Sequence, residues 1–144
     1  MTDEYYADPE VCQAILMDYY RNPRCAGVCD PATHVAEATN PACGDVVTLS
    51  FQVEADRILQ ARTIGTGCAV SQASASLLAE QLQGKSLKEA RVVLEAFGQM
   101  LERASPLPHG LDRLLALQMI TGNPARVRCA TTARQAAWQA LGVP

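Results

Sequence analysis

The apolar residues of this chain change period once, near Cys68, and that change limits what the chain can fold into. Ahead of it, in VVTLSFQV, Val47, Leu49, Phe51 and Val53 alternate with smaller or more polar residues, the spacing of a strand covered on one face. HVAEAT before this run and ILQARTI after it read as two more strands, and the short EADR connection favours an antiparallel meander. Behind Cys68 the spacing is helical. Val70, Ala73, Leu77, Leu78 and Leu82 fit a helix closed by Gly84, with Ser71, Ser74 and Ser76 leaving room for close packing. Ser86-Leu87-Lys88-Glu89 is a capping box, and Ala90, Val93, Leu94, Phe97, Met100 and Leu101 recur behind it at helical spacing.

The flanks obey the same logic. Asp8-Pro9 is an N-cap with proline at the first helical position, and Cys12, Ile15, Leu16 and Tyr19 share one face of a helix running to about Arg21. RNPRCAGVCDPATH carries the Asn, Pro and Gly of an irregular connection. After the break ASPLPHG, the leucine-rich stretch from Leu111 to Ile120 reads as helical; TGNPAR breaks the chain again, and RVRCATTARQAAWQALG reads as a last helix ending at Gly142. Strands followed by helices predict an α+β fold: a three-stranded antiparallel sheet with helices packed on one face. A length of 144 residues suits one domain spanning 1–144.

Charge and composition remove several function classes. A net charge of −3 with no run of Lys or Arg argues against a nucleic-acid partner, which needs clustered cations. No apolar stretch reaches the roughly 18 residues of a membrane span, and MTDEYYADPE is acidic where a signal peptide would be basic, so no membrane partner and a cytoplasmic location are expected. In a reducing compartment the six cysteines read as ligands, reactive thiols or core residues rather than disulfides.

Cys43, Cys68 and Cys129 each stand beside small or turn-forming residues at an element boundary. Cys43 precedes Gly44 and Asp45 at a strand entrance, Cys68 follows GTG at a helix start, and Cys129 lies near the start of the last helix. A helix N-terminus lowers a thiol's pKa, so Cys68 and Cys129 are expected to lean towards thiolate. Three thiolates and the Asp45 carboxylate could complete a tetrahedral site for an ion such as zinc, with Gly44 letting the chain curl. The spacing matches no CxxC pattern, and by spacing alone scattered buried thiols are the commoner arrangement.

The stretches NPACGDVVTLSF, GTGCAVSQASASLLAEQLQGKSLKEA and PARVRCATTARQAAW resemble the U-type iron–sulfur cluster assembly family, which comprises IscU, SufU and NifU N-terminal domains. The resemblance implies a metal site of Cys43, Asp45, Cys68 and Cys129. Arg128 stands where IscU-like members have a histidine, and the segment 105–123 looks like the insertion of the SufU branch, so the chain resembles SufU more than IscU. The resemblance implies a Zn2+-dependent sulfurtransferase with Cys43 as acceptor. It would take persulfide sulfur from a SufS-like cysteine desulfurase, whose histidine displaces Cys43 from the metal, and pass it to downstream iron–sulfur assembly factors. One alternative is a scaffold that assembles a [2Fe-2S] cluster, or binds iron, on the same ligands; another is a zinc-stabilised binding module without turnover. Three thiolates, a carboxylate and a divalent cation leave the site near −2, which Arg126 or Arg128 would partly offset; each reads equally well as a solvated arginine at a helix start.

The remaining chemistry-bearing residues read as ordinary structure. Cys12 is packing on the first helix, and Cys25-Ala-Gly-Val-Cys29 corresponds to a surface turn of the family without required cysteines. His34 and His109 lack convergent partners. Tyr5, Tyr6, Tyr19 and Tyr20 read as half-buried packing around the first helix, with partner docking as the other reading.

Overall fold

The computed structural model describes residues 3–103 and 110–142. The three strands, β1 (His34–Asn40), β2 (Asp45–Glu54) and β3 (Arg57–Thr66), form one antiparallel sheet in the order β1-β2-β3. The four α-helices are α1 (Pro9–Arg21), α2 (Ala69–Leu82), α3 (Leu87–Leu101) and α4 (Pro124–Leu141). Short 3-10 helices cover Asp3–Ala7 and Asp112–Ile120.

Alternation places Ala38, Val47, Leu49, Phe51 and Ala61 on one face of the sheet, all buried. Onto that face pack α4, against β1 and β2, and α2, chiefly against β3. The two helices meet tightly because α2 is lined with small residues: Ser74 Oγ donates to the Ala130 carbonyl of α4 at 3.0 Å. In the next layer, α1 packs on α2 and α3 on α4. The helices therefore share one face, as the period change requires.

The opposite face is only partly covered. Val35 and Ile64 stand about half exposed there. Over Ser50, at 1% exposure, lies the segment after α1: the Cys29 amide donates to Ser50 Oγ at 2.9 Å, and Cys29 Sγ donates to the Ser50 carbonyl at 3.3 Å. The same segment closes the free edge of β3, through Gly27 N–H to the Thr63 carbonyl (3.0 Å) and Thr63 N–H to the Cys25 carbonyl (2.7 Å). The Cys25–Cys29 stretch is thus a structural strap with Cys29 buried, not the surface turn expected of it. Cys12 is buried as expected, its thiol donating to the Tyr6 carbonyl. Tyr6 and Tyr19 are buried, and Tyr5 and Tyr20 are exposed.

Two expectations shift on contact with the structure. The last helix begins earlier than the sequence suggested, because Asn123 in TGNPAR is its N-cap, accepting from the Ala125 and Arg126 amides, with Pro124 at the first position. The leucine-rich stretch is a 3-10 helix: Leu111, Leu114, Leu117 and Ile120 recur every third residue and all are buried. A three-residue turn eclipses those positions on one face, whereas an α-helix would fan them apart. Of the segment 105–123, residues 105–109, with His109, lie outside the described residues.

One close approach locks β3 against β2 near the Asp45 end of the sheet. A Cβ on Gly65 of β3 would land on the Val46 carbonyl of β2, one residue from Asp45. Gly65→Ala is therefore expected to lower stability by about 1–3 kcal/mol, the usual cost of overpacking, seen as a lower urea midpoint at unchanged slope.

Candidate metal centre

The hairpin from Asn40 to Asp45 sets the geometry. Asn40 and Asp45 face each other as the closing pair of β1 and β2. The turn between them is held by Cys43 N–H to the Asn40 carbonyl at 3.1 Å, and Gly44 adopts φ +69°. Cys43 therefore sits exposed near the turn tip, while Asp45, two residues on, points inward at 1% exposure.

Two helices bring the remaining thiols. Cys68 is the N-cap of α2, its Sγ accepting from the Ser71 amide at 3.5 Å, as a serine oxygen would. Cys129 lies in the second turn of α4, buried at 3% exposure. The ligating atoms of Cys43, Asp45 and Cys129 lie within 4.8 Å of one another. Cys68 is beside them without completing the cluster at that distance: its thiol neighbours both Cys129 and Asp45, its amide donates to Asp45 Oδ1 at 2.9 Å, and its sulfur also accepts from the Ser71 amide of its own helix. Three of the four expected ligands thus converge, and the fourth adjoins them.

A buried carboxylate needs donors, and this one has them on both oxygens. Asp45 Oδ1 accepts from the Cys68 amide and from Ser71 Oγ at 3.1 Å, and Oδ2 accepts from Asn40 Nδ2 at 3.2 Å. Burial works against the charge, yet hydrogen bonds from the Cys68 amide, the Cys129 thiol and Ser71 outweigh it and hold the Asp45 carboxyl below its ordinary value. The expected thiolate bias of Cys129 is reversed. Burial, followed by its hydrogen bond to Asp45 and the neighbouring Cys68 and Cys43 sulfurs, pushes its thiol well above the ordinary range. The second turn of α4, facing inward, lies too far from the exposed amides of the helix start to compensate.

Arg126 and Arg128 are exposed on the first turns of α4, and neither pairs with a carboxylate among the described residues. His34 hydrogen-bonds through Nδ1 to Thr33 Oγ1, at the end of β1 remote from Asn40. Asn40, Ser71 and Gly67 were not anticipated. Ser71 had a signal, since it stands three residues after a helix-starting cysteine, where a side chain can fold back over the first turn.

A hairpin cysteine and aspartate meeting thiols carried by two helices form a donor set of the kind that suits a thiolate-bound metal ion. Comparison with known proteins places it further. Residues 12–114 match the family model described as the NifU-like N-terminal domain. The zinc-dependent sulfurtransferase SufU of Bacillus subtilis (strain 168) is 34% identical over 128 residues, 88% of this chain and 84% of that protein. The iron–sulfur cluster assembly scaffold protein IscU of Streptococcus pyogenes serotype M1 is 30% identical over 89% of this chain and 78% of its own length. A crystal structure described as a candidate iron–sulfur cluster assembly scaffold protein of the SUF system, from Fervidobacterium islandicum AW-1, superposes with a TM-score of 0.83 at 31% identity, covering 88% of this chain and 93% of that one. The chain belongs to the NifU-like N-terminal, or U-type, iron–sulfur cluster assembly family. No helix among the described residues is long and apolar enough to cross a membrane.

Gly67, at φ +139°, lets the chain enter α2 against the carboxylate: a Cβ there would meet Asp45 Oδ1 and come 2.8 Å from Asp45 Cα. Gly67→Ala should cost more than the ~1 kcal/mol typical of a mild backbone mismatch, since it adds a clash to an unfavourable φ. Denaturant unfolding gives the loss, and amide NMR should show the Cys68 N–H displaced from its carboxylate partner.

Proposed function

We propose that this protein is a zinc-dependent sulfur acceptor that takes persulfide sulfur from a cysteine desulfurase and relays it to iron–sulfur cluster assembly in the cytoplasm. The observation that carries this reading is the convergence of the Cys43, Asp45 and Cys129 ligating atoms within 4.8 Å, with Cys43 exposed and the other two buried. Donors around a tetrahedral zinc sit about 3.8 Å apart for metal–sulfur bonds of about 2.3 Å, so a set this tight needs small adjustment only. The residues fit the ion: Cys43, Asp45 and Cys129 would hold it, with Cys68 as the fourth donor. Bound zinc would keep the thiols as thiolates, displace the proton that Cys129 otherwise keeps, and damp the nucleophilicity of Cys43.

The chain's own part in the reaction stems from exposure. Cys43 is the only one of the three clustered ligands that a partner's persulfide can reach. Its thiolate attacks the terminal sulfur of the desulfurase persulfide; a new S–S bond forms on Cys43, the donor's S–S bond breaks, and the donor cysteine leaves as thiolate. The sulfane sulfur moves without any outside oxidant or reductant. The SufU relative, named a zinc-dependent sulfurtransferase, supports this reading over cluster assembly, as does Arg128 in place of a histidine beside Cys129.

Elemental analysis of the purified protein, paired with persulfide mapping after incubation with a SufS-like desulfurase and cysteine, tests it. Colourless protein with one equivalent of zinc, and a persulfide on Cys43 that Cys43→Ala abolishes, is the expected result. Brown protein with stoichiometric iron and sulfide would establish the [2Fe-2S] scaffold instead. Zinc at a hundredfold excess over its dissociation constant should stabilise the fold by about 2.7 kcal/mol, a gain that chelation removes and thermal unfolding reads.

A further inference from the structure

The centre is asymmetric, and one residue stands at the boundary of its halves. Asn40, the last residue of β1, is 8% exposed and in register with Asp45. Its side chain donates to Asp45 Oδ2 at 3.2 Å and approaches Cys129 Sγ at 3.7 Å, while its main-chain carbonyl accepts from the Cys43 amide at 3.1 Å. An amide nitrogen carries two hydrogens, so one Asn40 side chain can serve both the carboxylate and the sulfur. Turned the other way, it would set its own oxygen against two electron-rich acceptors, which fixes the orientation of the amide.

We propose that Asn40 is a positioning residue that clasps Asp45 to Cys129, making them a fixed half of the metal centre while Cys43 remains the mobile half. This rests on the zinc reading of the site. Asp45 cannot swing away, because Cys68 N–H and Ser71 Oγ hold one of its oxygens and Asn40 holds the other. Cys129 is tethered to the same amide. Cys43 sits in an exposed turn held by its main-chain hydrogen bond and touches Cys129 through its sulfur, so its thiol can leave without breaking the bonds that Asn40 makes to Asp45 and Cys129. A ligand set that must release one member and keep its ion needs such a division, and a neutral donor provides it without altering the site's net charge.

The test measures zinc affinity and release for wild type, Asn40→Ala and Asn40→Leu by competition with a chromophoric chelator. Each is also made in a Cys43→Ala background, and each is loaded with cobalt for its absorption spectrum. Asn40→Leu keeps the shape and removes the donor without adding charge, so it reports on the clasp even where Asn40→Ala folds poorly. Asn40 variants are expected to bind zinc about 10–100-fold more weakly, the usual cost of losing an outer hydrogen bond to a ligand. Their cobalt ligand-field bands should shift, and in the Cys43→Ala background they should shed zinc at least tenfold faster than Cys43→Ala alone. A merely structural asparagine would lower the melting temperature of the metal-free protein and leave affinity and spectrum unchanged. Zinc binding within twofold of wild type in folded variants, with unshifted bands, would overturn the clasp while leaving the zinc reading intact. Wild type that takes up no zinc would overturn the zinc reading and the clasp with it.

Discussion

A carboxylate at 1% exposure is the constraint around which this molecule is organised. An ionised group taken out of water costs several kcal/mol unless the chain replaces the lost hydration. Asp45 obtains that replacement from three donors on two elements: Asn40 on β1, the Cys68 amide at the mouth of α2, and the Ser71 hydroxyl in the first turn of that helix. Each donor is useful only if the hairpin, the β3–α2 junction and the sheet register are all correct. The register pairing Asn40 with Asp45 is fixed by the alternation that buries Ala38, Val47 and Leu49 against α4 and α2. A slip of one residue would expose those side chains and turn Asp45 to solvent. Burial of the core and solvation of the carboxylate therefore select the same arrangement, and the site inherits the rigidity of the sheet.

Much of this could be read from residues alone, for local reasons. The strands, α1 and α3 declare themselves through alternation, an Asp-Pro start and a capping box whose two reciprocal hydrogen bonds are both present. The thiols and the carboxylate stood out because turn-forming neighbours placed them at element boundaries, and the motifs around Cys43, Cys68 and Cys129 pointed to the family. What escaped notice depends on contacts between distant segments. The bridging contacts of Asn40 exist only because α4 delivers Cys129 from 89 positions away, and nothing in NPACGD by itself distinguishes an asparagine that bridges Asp45 and Cys129 from a turn residue. Cys29 likewise looked like part of a turn, since its burial comes from crossing a sheet face that later residues create. The 3-10 helix was legible in principle: the triplet spacing of Leu111, Leu114, Leu117 and Ile120 was present, but a short leucine-rich run is ordinarily assigned to the α-helix.

The reversed expectation for Cys129 separates two effects that sequence reasoning merges. Proximity to a helix start favours a thiolate only where the free amides can reach it, and the effect fades within a turn. The Ser71 amide does reach the Cys68 sulfur at the cap of α2. Cys129, a turn and a half inside α4, faces a carboxylate in a dry interior, where a second negative charge is disfavoured. The two thiols share a sequence signature and differ in setting, one at a helix end and the other inside a helix.

Under the function proposed above, that difference bears on how a sulfur acceptor can remain selective. A cluster of accessible thiolates would react with any electrophilic sulfur and with one another. Burial and the Asp45 carboxylate push the Cys129 thiol up, and Asp45 is itself enclosed by the Cys68 amide, Ser71 and Asn40, so neither is presented to solvent. Of the three clustered side chains, Cys43 alone is exposed. Under the proposed function, selectivity would arise from the unequal burial of side chains that share one small volume.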